Sequence, residues 1–232
     1  PLISSVVELR YVSEISSSKI ALVFFKLFSE EFPELEESKI PKELREKEEF
    51  IFTPQYTLSN ENYSISFSNK VISFQVLGEY KYWDNYFMFI CKSLEKIFQE
   101  GFVLRITRIG IRYISCFEKV KEDLITNITE VVNNLPSLNV DGYEEKINSY
   151  NTTLTKDENS YRILLANNAK VTKKDQTFNG TIIDIDARSE KTIEVSLDYV
   201  INKIENLHFE EKKLFFEKIL HPDFVNKLDI TY

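Results

Sequence analysis

The chain has little of what builds loops, staples and metal centres: of its 232 residues, five are Gly, six Pro, two Cys, two His, one Trp and one Met. So little Gly and Pro excludes a loop-dominated or low-complexity protein. Cys91 and Cys116 sit in apolar surroundings and fall in no CxxC or zinc-ligand spacing, which predicts two buried thiols in a reducing compartment. Neither histidine has a Ser, Cys or Lys nucleophile signature beside it, so no catalytic triad is expected. Walker A, GxGxxG, HExxH and GxSxG patterns are missing as well, and with them the common phosphate-loop, dinucleotide, zinc-protease and hydrolase leads. There is no apolar run of about eighteen residues, the length that would predict a membrane span. Pro1-Leu2-Ile3-Ser4-Ser5 carries no basic n-region, so no signal peptide is expected on the chain and a cytoplasmic location is. Four N-x-S/T sequons, at Asn62, Asn127, Asn151 and Asn179, are what chance gives in an Asn- and Thr-rich chain.

An excess of positive charge is missing too. Twenty-nine basic residues face 37 acidic ones, a formal net charge of −8. A protein that grips phosphate backbones without sequence preference needs a positive surface. Nucleic acid is therefore a less favoured partner than protein, although net charge says nothing about local patches. The abundance of Ile, Lys, Asn and Glu is that of an AT-rich bacterial or mobile-element genome.

What the chain does have is apolar and aromatic mass. Hydrophobic residues make up 43%, and 18 Phe and 12 Tyr dominate the aromatics. That is enough to bury a sizeable core in one domain spanning 1–232. Residues 6–12 alternate as a strand, and Ile20, Val23, Phe24, Leu27 and Phe28 follow at helical spacing until Pro33. The charged stretch 30–49 reads as a solvated connection or short surface helix, with a mobile partner-binding arm as the alternative. Strand structure is expected to restart at Phe50-Ile51-Phe52. Segments 63–67 and 71–76 alternate around Ser68-Asn69-Lys70 and predict an antiparallel hairpin. A helix capped by Asp84 follows, with Phe87, Ile90, Leu94 and Ile97 on one stripe and Gly101 as its stop; a strand then runs over about 103–117. The second half predicts a helix with the stripe Leu124, Ile128, Val131, Val132 and Leu135. Strands near 143–156, 159–167 and 176–188 come next, then a long helix over 196–220 ended by His221-Pro222. This order predicts an α+β fold: antiparallel sheet with long amphipathic helices packed on one face. The loose echo between 1–118 and 119–232 suggests two ferredoxin-like or helix-grip halves sharing a core.

Four sets of residues carry candidate chemistry. Arg108, Gly110 and Arg112 share one strand face and Tyr113 looks the other way. Two guanidiniums about 7 Å apart can hold a phosphate or a partner's carboxylate, with Gly110 leaving room for a ligand. Equally, Arg112 can pair with Glu8 or another sheet-face carboxylate, with Gly110 accommodating packing. Asp184 and Asp186 share a strand face and can ligate Mg²⁺ or Mn²⁺, or sit in ion pairs, with Arg188 beside them. His208 lies on the apolar seam of the last helix, as a binding residue or a hydrogen-bonded core residue. Trp83, after Tyr80-Lys81-Tyr82, can stack a base or anchor the core.

Pro1-Leu2-Ile3-x-x-Val6-Val7-Glu8-Leu9-Arg10-Tyr11 and Gly110-Ile111-Arg112-Tyr113-Ile114, together with Leu207-His208 and then Phe215-Phe216, carry a resemblance. Over nearly its full length the chain resembles the TIGR04255 family, a sporadically distributed bacterial family with an N-terminal strand of this type and a GLRYIN central motif. Ser115 stands where that family usually has Asn, and Phe209 where an acidic residue is common. The family brings no established activity. Its patchy distribution is that of mobile elements and anti-phage defence loci. The resulting expectation leans away from an enzyme: a binding or regulatory protein of such a locus, working without a cofactor through a nearby-encoded protein partner, as an antitoxin-like, immunity or sensor component. Two alternatives stand beside it. One is a divalent-metal nuclease or nucleotide hydrolase using Asp184 and Asp186, and the other an RNA or nucleotide sensor using Arg108 and Arg112.

Overall fold

The fold is a computed structural model that describes residues 2–80, 82–118, 131–133, 141, 149–173 and 176–228. In chain order the elements are β1 (Leu2–Val12), α1 (Ser17–Phe28), β2 (Glu34–Glu37), α2 (Lys42–Arg45), β3 (Tyr56–Ser59), β4 (Tyr63–Phe67), β5 (Val71–Val76), α3 (Trp83–Gln99) and β6 (Arg105–Glu118). The later ones are β7 (Ser149–Lys156), β8 (Asn159–Lys173), β9 (Gln176–Ser189), β10 (Ile193–Glu194), α4 (Leu197–Leu214), a π-helical turn at Phe215–Ile219 and α5 (Pro222–Val225). Ten strands form one sheet in the order β2-β3-β4-β5-β1-β6-β9-β8-β7, with β10 also on β6. Every described pairing is antiparallel. The architecture is thus α+β with antiparallel sheet. Strands before residue 119 and strands after it occupy contiguous parts of that sheet and meet at β6–β9.

Alternation decides which face each strand buries. In β1 the side chains of Val7, Leu9 and Tyr11 point into the main core, while Glu8 and Arg10 point away. A bulge between Leu2 and Ser4 shifts the register against β6 and sends Ile3 to a separate cluster with Cys116 and Ile182. Helices cover the core face through stripes at three- and four-residue spacing: Ile20, Phe24 and Phe28 on α1; Tyr86, Ile90, Leu94 and Ile97 on α3; Val200, Ile204 and Leu207 on α4. The Tyr86 hydroxyl sits over the β1–β5 pair. It donates to the Phe74 carbonyl at 2.6 Å and accepts the Val7 N–H at 3.2 Å, and Val7 and Phe74 are register partners. A second cluster, built on Ile163, Leu165, Ile183 and Ile185, is closed by Ile219, Leu220 and Phe224.

Four expectations need correction. Cys116 is buried as expected, but Cys91 is only partly buried. Residues 34–37 are not part of a solvated connection but the strand β2, paired with β3, and only α2 nearby is the short helix. Phe50-Ile51-Phe52 forms turns, and strand structure resumes at Tyr56. The Phe52 ring instead lies 4.2 Å from the Arg10 guanidinium, a cation–π contact that a linear reading of apolar residues cannot see. Helix α3 starts two residues early, at Trp83. Tyr82 occupies the cap position with φ 92°, and Asp84 lies inside the first turn, where its charge favours the helix dipole. The helix expected over about 124–135 and the first part of the strand expected from 143 lie largely outside the described residues.

Candidate binding site

Strand β6 carries two distinct arrangements, one on each face. On the face that no described helix covers, Arg108 and Arg112 reach diagonally across the strands. Arg112 is in register with Asp186, yet its Nε and Nη2 donate to Asp184 at 2.8 and 2.6 Å. Arg108 Nη2 donates to both oxygens of Asp186, at 3.1 and 3.0 Å. To get there the Arg108 guanidinium lies over Gly110: an added Cβ at Gly110 would meet Arg108 Nε and Nη2 at 3.5 Å. The space at the glycine is therefore filled by the chain's own arginine. Glu8 on β1 lies 3.4 Å from Arg108 Nη1 and 2.9 Å from Arg10 Nε, and Arg188 contacts Asp186 at 3.3 Å. Opposed charges thus compensate one another across three strands.

Burial makes this network stiff. The Arg108 side chain is 11% exposed and those of Asp184 and Asp186 are 12% and 19%, whereas Arg112 is half exposed. Hydrogen bonding to Asp184 raises the Arg112 pKa further. Both aspartates offer a cation only oxygens that guanidiniums already hold, and a metal would have to displace bidentate charge-assisted bonds. Among the described residues, no three His, Cys, Asp or Glu side chains gather in a way that could hold a metal ion.

On the core face, Tyr113, His208 and Trp83 come together from β6, α4 and α3. The Tyr113 hydroxyl and His208 Nδ1 are 2.8 Å apart. The imidazole stacks on the Trp83 indole with centroids 3.9 Å apart and planes 11° from parallel, and Trp83 in turn stacks on Phe87. Burial, then the charge of Lys212, lowers the His208 pKa to about 4, so the ring is neutral at pH 7. Tyr80 packs edge-on to Tyr113, and burial pushes its phenol up to about 12. Trp83 Nε1 is buried and has no acceptor among the described residues.

The structure adds members that the sequence reading passed over. Glu211 is 4% exposed, and burial raises its carboxyl to about 8. Its charge is felt at both Tyr80 and Tyr113. The signal was present: Val200, Ile204, Leu207 and Glu211 continue one buried stripe of α4. A concavity of about 730 Å³ also runs along α3, floored by Phe32, Tyr63 and Phe89 and edged by Asn62, Lys92 and Lys96. None of the candidate site residues named from sequence lines it. Tyr82 and Phe209, the sequence neighbours of Trp83 and His208, are 65% and 61% exposed. No described helix is long and apolar enough to cross a membrane. In comparisons with known proteins, no family model matches the chain and no curated protein is significantly similar to it.

Proposed function

We propose that this chain is a non-enzymatic binding or regulatory protein that acts through a protein partner. Its setting would be a bacterial mobile-element or anti-phage defence locus, in the role of an antitoxin-like, immunity or sensor component. The observation that carries this reading is the junction of α3 and α4. A stacked Trp83–His208 pair, fixed from below by Tyr113, is flanked in sequence by two large exposed aromatics, Tyr82 and Phe209. Exposed aromatics beside a stacked, partly buried aromatic pair are suited to an interface hot spot. Tyr82 also holds a positive φ, which is costly for a bulky side chain and tends to persist where function requires it. The internal pairing of Arg108, Arg112, Asp184 and Asp186 supports the same reading, because it leaves these groups little capacity for metal or phosphate. Kinship with the patchily distributed family remains part of the proposal, and the locus rests on it alone.

The test is purification from the native host with neighbouring genes intact, for wild type and the double variant Tyr82→Ala/Phe209→Ala. A stoichiometric protein partner lost in the variant, at unchanged melting temperature, is the expected result. Metal-dependent turnover of nucleic acid or nucleotide that Asp184→Ala abolishes would overturn it. Tight, steeply salt-dependent RNA or nucleotide binding would move the reading to the half-exposed Arg112.

A further inference from the structure

Among the described residues the sheet ends in two strands of opposite character. Strand β2, Glu34-Leu35-Glu36-Glu37, is exposed throughout and three-quarters acidic, a pattern that repels further strands of this acidic chain. Strand β7, Ser149-Tyr150-Asn151-Thr152-Thr153-Leu154-Thr155-Lys156, carries no acid and is exposed at every position but Thr152. Its one charge, Lys156, is already bonded to Glu210 of α4. Eight residues rich in threonine, with a tyrosine and a leucine, form an edge without the charges that usually guard one.

The geometry of β7 selects a partner. Its register with β8 pairs Tyr150 with Leu165, Thr152 with Ile163 and Leu154 with Tyr161, so Tyr150, Thr152 and Leu154 lie on the core-side face. There Tyr150 is still 38% exposed and Leu154 45%. The two-residue turn Asp157-Glu158 closes on Lys156 and Asn159. A turn of that length ends in a hydrogen-bonded pair, so even-numbered residues of β7 turn their backbone groups to β8. Ser149, Asn151, Thr153 and Thr155 turn theirs outward. An added antiparallel strand must match outward groups with outward groups and like faces with like.

A second β7 meets both conditions when the two-fold axis passes through Thr152. Asn151 then faces Thr153 of the second copy, and Ser149 faces its Thr155. Tyr150 falls opposite Leu154 of the second copy, and symmetry makes that contact twice. Centring one residue later would oppose Tyr150 with Lys156 instead. We propose that β7 pairs with β7 of a second copy, antiparallel about Thr152, joining the two sheets into one. The surface involves none of Tyr82, Trp83, His208 or Phe209 and so goes beyond the proposed partner interface. A strand pair of this length belongs with small, reversible interfaces under about 1,200 Å², so association depends on concentration.

The experiment is sedimentation velocity of the full chain across a wide concentration series, with thiol cross-linking beside it. Wild type should pass from monomer to dimer, and Leu154→Lys should move that transition to about tenfold higher concentration without lowering the melting temperature. Non-hydrogen-bonded antiparallel partners have Cα atoms about 4.5 Å apart, within disulfide reach. Mild oxidation of Thr152→Cys should therefore give a linked dimer well above the wild-type background from Cys91 and Cys116, while Thr155→Cys should not. A chain monomeric at every concentration overturns the proposal. So does a dimer indifferent to Leu154→Lys, or a thiol at position 155 that links as readily as one at 152.

Discussion

Arg108 reaches across the bare backbone of Gly110 to grip both carboxylate oxygens of Asp186, although Asp186 lies in register with Arg112. The diagonal lets one guanidinium serve two carboxylates, Asp186 on β9 and Glu8 on β1, and so ties three adjacent strands. Removing one partner of a buried pair costs about 3–5 kcal/mol because the other charge stays behind. Residual exposure of Asp186 and the second carboxylate at Glu8 reduce this. Asp186→Ala should therefore destabilise by about 2–3 kcal/mol in urea unfolding. Adding Arg108→Met should restore most of the loss. Additive losses in the double variant would mean that the two side chains are not coupled.

Two glycines in neighbouring strands should respond in opposite ways. A Cβ on Gly180 would lie 2.0 Å from the Phe117 carbonyl oxygen and 2.8 Å from the Glu118 Cα, with only backbone to give way. A Cβ on Gly110 would meet the Arg108 guanidinium at an ordinary 3.5 Å. Gly180→Ala should cost about 3 kcal/mol, and Gly110→Ala should stay within about 0.5 kcal/mol of wild type. Gly110→Val, which fills the path of Arg108, should reproduce the Asp186→Ala loss. Thermal unfolding of the three variants decides it; a severe cost for Gly110→Ala would mean that the space at Gly110 is not spare.

Divalent cations should leave the melting temperature unchanged. Ligand binding to the folded state raises stability in proportion to its saturation, but the oxygens of Asp184 and Asp186 are already held by Arg112, Arg108 and Arg188. Differential scanning fluorimetry with millimolar Mg²⁺ or Mn²⁺ tests this. A rise in melting temperature that disappears in Asp184→Asn would restore the metal reading.

The legible parts of this molecule were those written in local periodicity. The alternation of β1, the β4–β5 hairpin and the stripes of α1, α3 and α4 follow from residues close in sequence. So did the placement of His208 on a buried seam, and of Arg108 and Arg112 on one face. Pairing between distant strands was not legible. That Arg112 would choose Asp184 rather than Glu8 depends on the β6–β9 register, which nothing local specifies. Glu34–Glu37 reads as solvated charge, and only its pairing with β3 makes it a strand. Conversely, Phe50-Ile51-Phe52 has strand-like residues but forms turns, with the Phe52 ring packed on the guanidinium of Arg10.

Glu211 sets the pH dependence on the alkaline side. Burial raises its carboxyl to about 8 in the folded protein, well above the ordinary value near 4.3 that the unfolded chain regains. Between those values the unfolded chain releases a proton that the folded one keeps. The contribution of Glu211 to stability is therefore full below about pH 4 and falls as pH rises toward 8. His208 has the opposite sign. Its folded pKa of about 4 lies below the unfolded value, so stability is lost as pH falls from about 6.5 toward 4. The two effects offset each other in mild acid, and above about pH 6.5 only Glu211 continues. Over the next 1.5 units, at ~1.4 kcal/mol per unit, wild type should lose on the order of 2 kcal/mol. Glu211→Gln keeps the shape and removes the titration, so its urea midpoint should stay flat from pH 6.5 to 8 and exceed wild type at the upper end. Parallel pH profiles for the two proteins would mean that Glu211 is ionised in the fold and held there by some other compensation.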